Sequence, residues 1–285
     1  MSPQATPRGK CEKHTIIDER IDADNGPGGT TDNSPPVSLA GRRQTTNPRP
    51  AGTPETLTPA LTPNRLLHDP RYNKRMIHEI LPVGPLQCNC SVIGDEITHE
   101  AMVIDPGDDI DDVLALVRKH NLQVKQIVIT HAHIDHVGGA MKLRAATGAP
   151  ILLNQNDYAL LKMLDAQAAW IGMRDPGKVE IDHSVTTGET VTAGSLSASI
   201  LHTPGHTEGS ICLYFPAENK LIAGDTLFAG SIGRTDLPGG SMQKILHSLH
   251  DTLMALPDET IVVPGHGPLT TIGEERETNP FLVKR

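Results

Sequence analysis

Residues 130–139 read Thr-His-Ala-His-Ile-Asp-His-Val-Gly-Gly and place His131, His133, Asp135 and His136 within six positions, directly after the apolar run Ile127-Val128-Ile129. No other stretch restricts the fold as much. Three imidazoles and a carboxylate are a costly way to fill a core, because each polar group needs a partner once it leaves water. The run is therefore expected on a loop at the carboxyl end of a buried strand, where open α/β folds place their chemistry. Imidazole nitrogen and carboxylate oxygen are ligands for zinc, iron and manganese. Alternation along an extended loop would aim His131 and His133 at one point and Asp135 with His136 at another.

One metal needs more ligands than two. Three later stretches supply them, each rich in glycine and each beside a strand-like run: Thr203-Pro204-Gly205-His206-Thr207, Gly224-Asp225-Thr226 and Pro264-Gly265-His266-Gly267. Glycine lets the chain turn sharply and approach a crowded centre. A carboxylate such as Asp225 can span two cations about 3.5–4 Å apart, a spacing suited to activating water near neutral pH.

Composition divides the chain near residue 75. Residues 1–75 hold 11 of the 23 prolines and show almost no apolar periodicity, so a disordered Pro-rich extension is expected there. From Met76 to Arg285 the pattern is that of a folded domain. Strands are expected at 76–83, 91–94, 101–104, 125–130, 211–215, 221–223 and 261–263, with sheet-like alternation over 189–199. Helices are expected after Asp108, with Ile110, Val113, Leu114 and Val117 as the apolar stripe, over 139–147, and over 241–256. Strands followed by helices point to two sheets covered by helices, an α/β architecture.

The formal net charge of -9 and an aromatic content of 2% argue against nucleic-acid binding. No apolar run reaches the roughly 20 residues of a membrane span, and the first residues lack a signal-peptide core, so a cytoplasmic protein without a membrane partner is expected. Cys11, Cys88, Cys90 and Cys212 do not complete a zinc knot and are expected as small buried residues.

The pattern His131-x-His133-x-Asp135-His136, followed by His206, Asp225 and His266, resembles the metallo-β-lactamase superfamily over residues 76–285. The resemblance implies a four-layer αβ/βα sandwich with two divalent metal ions, zinc first and iron or manganese as alternatives, at the sheet edge. It assigns His131, His133 and His206 to one metal, Asp135, His136 and His266 to the other, and Asp225 to both. Departures narrow the match. The common class of β-lactamases has Cys where this chain has Asp225, and flavodiiron proteins have Glu where it has His133.

The segments Gly224–Phe228, Ser231–Asp236 and Pro264–Pro268 resemble the small glyoxalase II-like hydrolases that lack a C-terminal helical domain. This implies hydrolysis of a 2-hydroxyacyl thioester of glutathione, with Asp135 as the catalytic residue orienting the attacking water. In glyoxalase II a cationic residue nine positions after the bridging Asp binds a glutathione carboxylate, and here that residue is Arg234. The Tyr two positions further on is replaced by Asp236, which offers Arg234 an internal partner instead. Two other functions are open: a persulfide dioxygenase of the same superfamily, using one iron, and a catalytically silent binding module.

Overall fold

The computed structural model of the protein describes residues 76–283 together with the strand pair Thr15–Ile16. The first sheet has seven strands in spatial order: β1 (Thr15–Ile16), β2 (Met76–Val83), β3 (Cys88–Asp95), β4 (Glu100–Ile104), β5 (Gln123–Val128), β6 (Ile151–Leu153) and β7 (His183–Ser184). From β1 to β4 neighbours run antiparallel, and from β4 to β7 they run parallel. Parallel neighbours need crossovers. Helices α1 (Ile110–Lys119), α2 (Ile134–Val137), α3 (Ala140–Thr147), α4 (Tyr158–Leu161) and α5 (Leu164–Ile171) lie in those connections.

The second sheet is built from β8 (Thr190–Ala193), β9 (Leu196–His202), β10 (Ile211–Phe215), β11 (Lys220–Gly224), β14 (Ile261–Pro264) and β15 (Thr270–Thr271), in the order β15-β14-β11-β10-β9-β8. A small hairpin, β12 (Leu227–Phe228) with β13 (Ser231–Ile232), follows β11. Helix α6 (Met242–His247) and α7 (Ile272–Thr278) belong to this half.

Side chains of the inner strands alternate between two cores, as a period of two requires. In β4, Ala101 and Val103 pack among the α1 and α3 residues, while Met102 and Ile104 face the second sheet. In β10, Ile211, Leu213 and Phe215 meet them from the other side, and Cys212 turns outward to Ile245 and Leu249. Three apolar layers thus separate four layers of structure, the expected αβ/βα sandwich. Strands buried on both faces read as continuous apolar runs, which is why these were legible.

Several boundaries differ from expectation. Strand β5 ends at Val128, leaving Thr130 to begin the loop. In α1 the buried residues are Ile110, Val113, Leu116 and Val117; Leu114 is half-buried. The helix expected over 241–256 is regular only through α6, then widens over Ser248–Thr252 and tightens over Leu253–Ala255. The loop expected to be extended past His133 instead coils into α2, so Asp135 and His136 sit on a helical turn. Apart from Thr15–Ile16, the extension expected over 1–75 lies outside the described residues, as does Cys11. Cys88, Cys90 and Cys212 are buried free thiols. Among the described residues no helix is long and apolar enough to cross a membrane.

Candidate metal centre

Each stretch singled out from the sequence leaves the carboxyl end of a strand at the same rim of the sandwich. His131 and His133 follow β5, His206 lies between β9 and β10, Asp225 follows β11 and His266 follows β14. They converge into two sets. His206 Nε2 lies 3.2 Å from His131 Nε2 and 2.9 Å from His133 Nδ1, and those two nitrogens are 3.0 Å apart. Beside them, His266 Nε2 is 3.2 Å from His136 Nε2 and 3.1 Å from Asp135 Oδ2. Asp225 faces both sets: Oδ1 is 3.4 Å from His136 Nε2, and Oδ2 is 3.5 Å from His206 Nε2 and 3.7 Å from His266 Nε2.

Bonds at the outer side of each ring decide which nitrogen faces inward. His206 Nδ1 is 2.9 Å from the Arg234 carbonyl and His266 Nδ1 is 3.0 Å from that of Leu86. A carbonyl only accepts, so each Nδ1 carries its hydrogen and Nε2 is the nitrogen turned into the cluster. Thr130 Oγ1 spends its hydrogen on Asp105 Oδ2 at 2.7 Å and so accepts from His131 Nδ1 at 3.1 Å. Asp105 Oδ2 also accepts from His136 Nδ1 at 2.9 Å. Lone pairs that face one another at about 3 Å repel, whereas tetrahedral zinc ligands at about 2.0–2.1 Å bring nitrogens to about 3.3 Å of each other. Asp225 Oδ1 is buried with no hydrogen-bond donor among the described residues. Both observations fit divalent metals held by these side chains.

Electrostatics agrees. Burial, then the neighbouring imidazoles, pushes His131 well below an ordinary histidine, and burial with His206 pushes His133 to about 3. These rings stay neutral, as ligands must. Burial also pulls His136 down, but the acidic groups facing it, Cys88, Asp225, Asp135 and Asp105, outweigh that and raise it well above the usual value. A site that draws a proton onto a buried ring is a site that demands positive charge.

Two glycines make the convergence possible. At Gly265 a Cβ would collide with Asp225 Oδ1 and sit 2.8 Å from His136 Cε1. Gly224 adopts φ 49°, and a Cβ there would lie 2.6 Å from Thr130 Oγ1.

Two carboxylates that the sequence did not reveal hold the ligands from behind. Asp105 adopts a left-handed φ of 52° after β4 and also accepts from Thr130 N at 2.7 Å. Asp157 accepts from Ala132 N at 2.9 Å, Thr207 Oγ1 at 2.8 Å and Gly209 N at 2.6 Å, joining the loop of His131 to that of His206. Nothing in sequence separates either from an ordinary surface Asp. His202, at the end of β9, bonds the Glu208 carbonyl at 2.8 Å and stands apart from the cluster.

A cavity of about 550 Å³ opens on the cluster, with His133, Asp135, His206, Asp225 and His266 along one side. Arg234 also lines it. Its Nε and Nη2 donate to Asp236 at 2.8 Å each, the internal pairing weighed from sequence.

An αβ/βα sandwich that gathers five imidazoles and two carboxylates at its inner strand ends defines a metal-dependent hydrolase fold with room for divalent ions. The chain belongs to the metallo-beta-lactamase superfamily, whose sequence pattern matches residues 83–266. It is 41% identical to an uncharacterized protein of Aquifex aeolicus, over 72% of this chain and 97% of that one. It is 37% identical to the hydroxyacylglutathione hydrolase GloC of Haemophilus influenzae, over 72% and 97%. Among solved structures it is similar to the BLEG-1 B3 metallo-beta-lactamase (37% identity, TM-score 0.68, 73% of this chain and 100% of that one). TTHA1623 in a di-iron-bound form is comparably similar (37%, TM-score 0.65, 71% and 99%), and ETHE1 from Myxococcus xanthus somewhat less so (31%, TM-score 0.61, 72% and 84%).

Proposed function

We propose that the protein is a two-metal thioester hydrolase of the glyoxalase II type, cleaving a small 2-hydroxyacyl thioester such as that of glutathione to the free acid and thiol. The observation that carries this reading is the position of Asp225, one carboxylate facing both ligand sets. The near full-length similarity to GloC supports the thioester. His131, His133 and His206 would hold one ion, Asp135, His136 and His266 the other, with Asp225 shared; zinc is the first candidate, and iron is supported by the di-iron form of TTHA1623. Bound there, divalent metals make hydroxide available near neutral pH and polarise a thioester carbonyl. Asp135, whose Oδ2 lies 3.1 Å from His266 Nε2, would hold and orient the attacking water. Burial pushes its carboxyl up, but the charge of His136 and the hydrogen bond from His266 outweigh this and hold it well below the usual carboxylate range, so it stays an ionised hydrogen-bond acceptor. Arg234, fixed by Asp236, keeps its Nη1 hydrogens for a substrate carboxylate. A reducing, cytoplasmic setting accords with the three free thiols.

The similarity to ETHE1 favours a second reading, oxygen-dependent persulfide oxidation at one iron. Metal analysis beside paired assays separates them. The expected result is two metals per chain and cleavage of S-lactoylglutathione without oxygen, with a β-lactam as control substrate. In Asp225→Ala, metal content and kcat/KM fall together, the latter by more than about 100-fold. One iron per chain, with oxygen uptake on glutathione persulfide and no thioester cleavage, would overturn the hydrolase reading.

A further inference from the structure

The cavity beside the metal cluster has a second side that the chemistry leaves unused. Helix α5 buries Leu164 and Ala168 in the core of its own half, one turn apart. Its other face, Ala166 and Trp170 with Met163 just ahead of it, lines the cavity, and Leu86 also contributes. Trp170 is 67% exposed and Met163 43%. An indole left in water on a cavity rim is the kind of apolar surface that marks a binding site.

The polar side chain that α5 turns to this cavity is already committed. Gln167 accepts from Ile134 N at 3.0 Å and donates to the carbonyls of Ala132 and Leu160 at 3.3 and 3.2 Å, which pins α5 to the metal loop. The Arg234 guanidinium gives Nε and Nη2 to Asp236 and leaves Nη1 as its donor toward the cavity. What α5 presents to a substrate is therefore apolar area next to the reacting centre.

We infer that the substrate carries a bulky apolar group beside its scissile carbonyl, and that Trp170 selects for that group by closing its exposed face over it. This rests on the thioester-hydrolase reading for the identity of the reaction, while the binding itself does not. The apolar group could belong to the acyl side or to the thiol side, and either would bury the same indole.

Trp170 is the only tryptophan of the chain, so its fluorescence reports on this cavity alone. The test uses the full-length, metal-loaded protein. One arm compares kcat/KM for S-mandeloylglutathione and S-lactoylglutathione, which differ by phenyl against methyl on the same 2-hydroxyacyl group. The other compares lactoyl thioesters of benzyl mercaptan and glutathione. A preference of roughly tenfold or more for the apolar member is expected in one arm, which also identifies the side. Trp170→Ala should bring that ratio close to one, and Trp170→Phe should keep part of it. Separately, mandelate should shift the Trp170 emission to shorter wavelength at lower concentration than lactate does. Cleavage without preference in either arm, or a preference unchanged in Trp170→Ala, would overturn the inference while leaving the hydrolase reading in place. Mandelate binding at Trp170 without cleavage of any thioester would uphold the inference and overturn that reading instead.

Discussion

Asp225 sends one oxygen to His136 and the other to His206, so a single carboxylate couples two ligand sets whose imidazoles differ in their hold on a proton. In the first set, burial keeps His131 and His133 far below an ordinary histidine. In the second, burial pulls His136 and His266 down, but at His136 the surrounding acidic groups outweigh it, and at His266 the hydrogen bond to Asp135 and the charge of Asp225 do so. A ligand nitrogen must release its proton before it binds metal. A raised pKa lets the proton compete up to a higher pH, and a lowered one removes that competition. On acidification a metal held, as proposed, by Asp135, His136 and His266 should thus leave first, with one at His131, His133 and His206 retained to lower pH. Metal content after equilibration at stepwise lower pH should pass from two to one to none per chain. Simultaneous loss of both would show that the two sets do not titrate separately.

At the scale of elements, the turn Gln155–Asp157 and the helices α4 and α5 join the metal rim to the cavity wall. Asp157 is the tie: although burial raises its proton affinity, it collects three donors from two ligand loops. Asp157→Ala would leave the N–H groups of Ala132 and Gly209 buried and unpaired, at a cost of about 3 kcal/mol. Urea unfolding should show that loss, and zinc affinity of the His131, His133, His206 set should drop with it, while Asp157→Asn, which keeps an acceptor, recovers part of both. Unchanged zinc affinity in Asp157→Ala would mean that the loops hold their spacing without the tie. This element also marks the limit of what the sequence made legible. Strands such as β2 and β10 stand out because both faces are buried and few polar residues interrupt them. The run Ile151–Leu153 is too short to show a period, and α5 is apolar on opposite faces, one toward the core and one toward the cavity, so no single stripe marks it. The ligands were legible because imidazoles rarely cluster without a reason; Asp105 and Asp157 were not, because their roles exist only once β4, β5 and the β9–β10 loop are brought together.

For the whole molecule, the three apolar layers hold, among the described residues, buried side chains from Ile80 to Leu282. Upstream of Met76, the described contribution to the fold is the strand pairing of Thr15 with Ile80 and Ile16 with Glu79 at the edge of the first sheet. Two edge pairs are a small part of the backbone bonding of a domain this size, and they lie at the far end of the strand order from the parallel strands β5 and β6 that lead into the site. We propose that residues 76–285 fold and act on their own. A protein starting at Met76 should melt within about 4 °C of the full chain, the shift that roughly 1–2 kcal/mol produces in a domain of about 200 residues. It should also bind two metals and keep kcat/KM for its thioester within about twofold, since every proposed ligand and every described residue of the cavity wall lie downstream of the cut. A larger fall in melting temperature with unchanged turnover would assign residues 1–75 a structural part in the first sheet. A fall in turnover with unchanged melting would place them at the cavity.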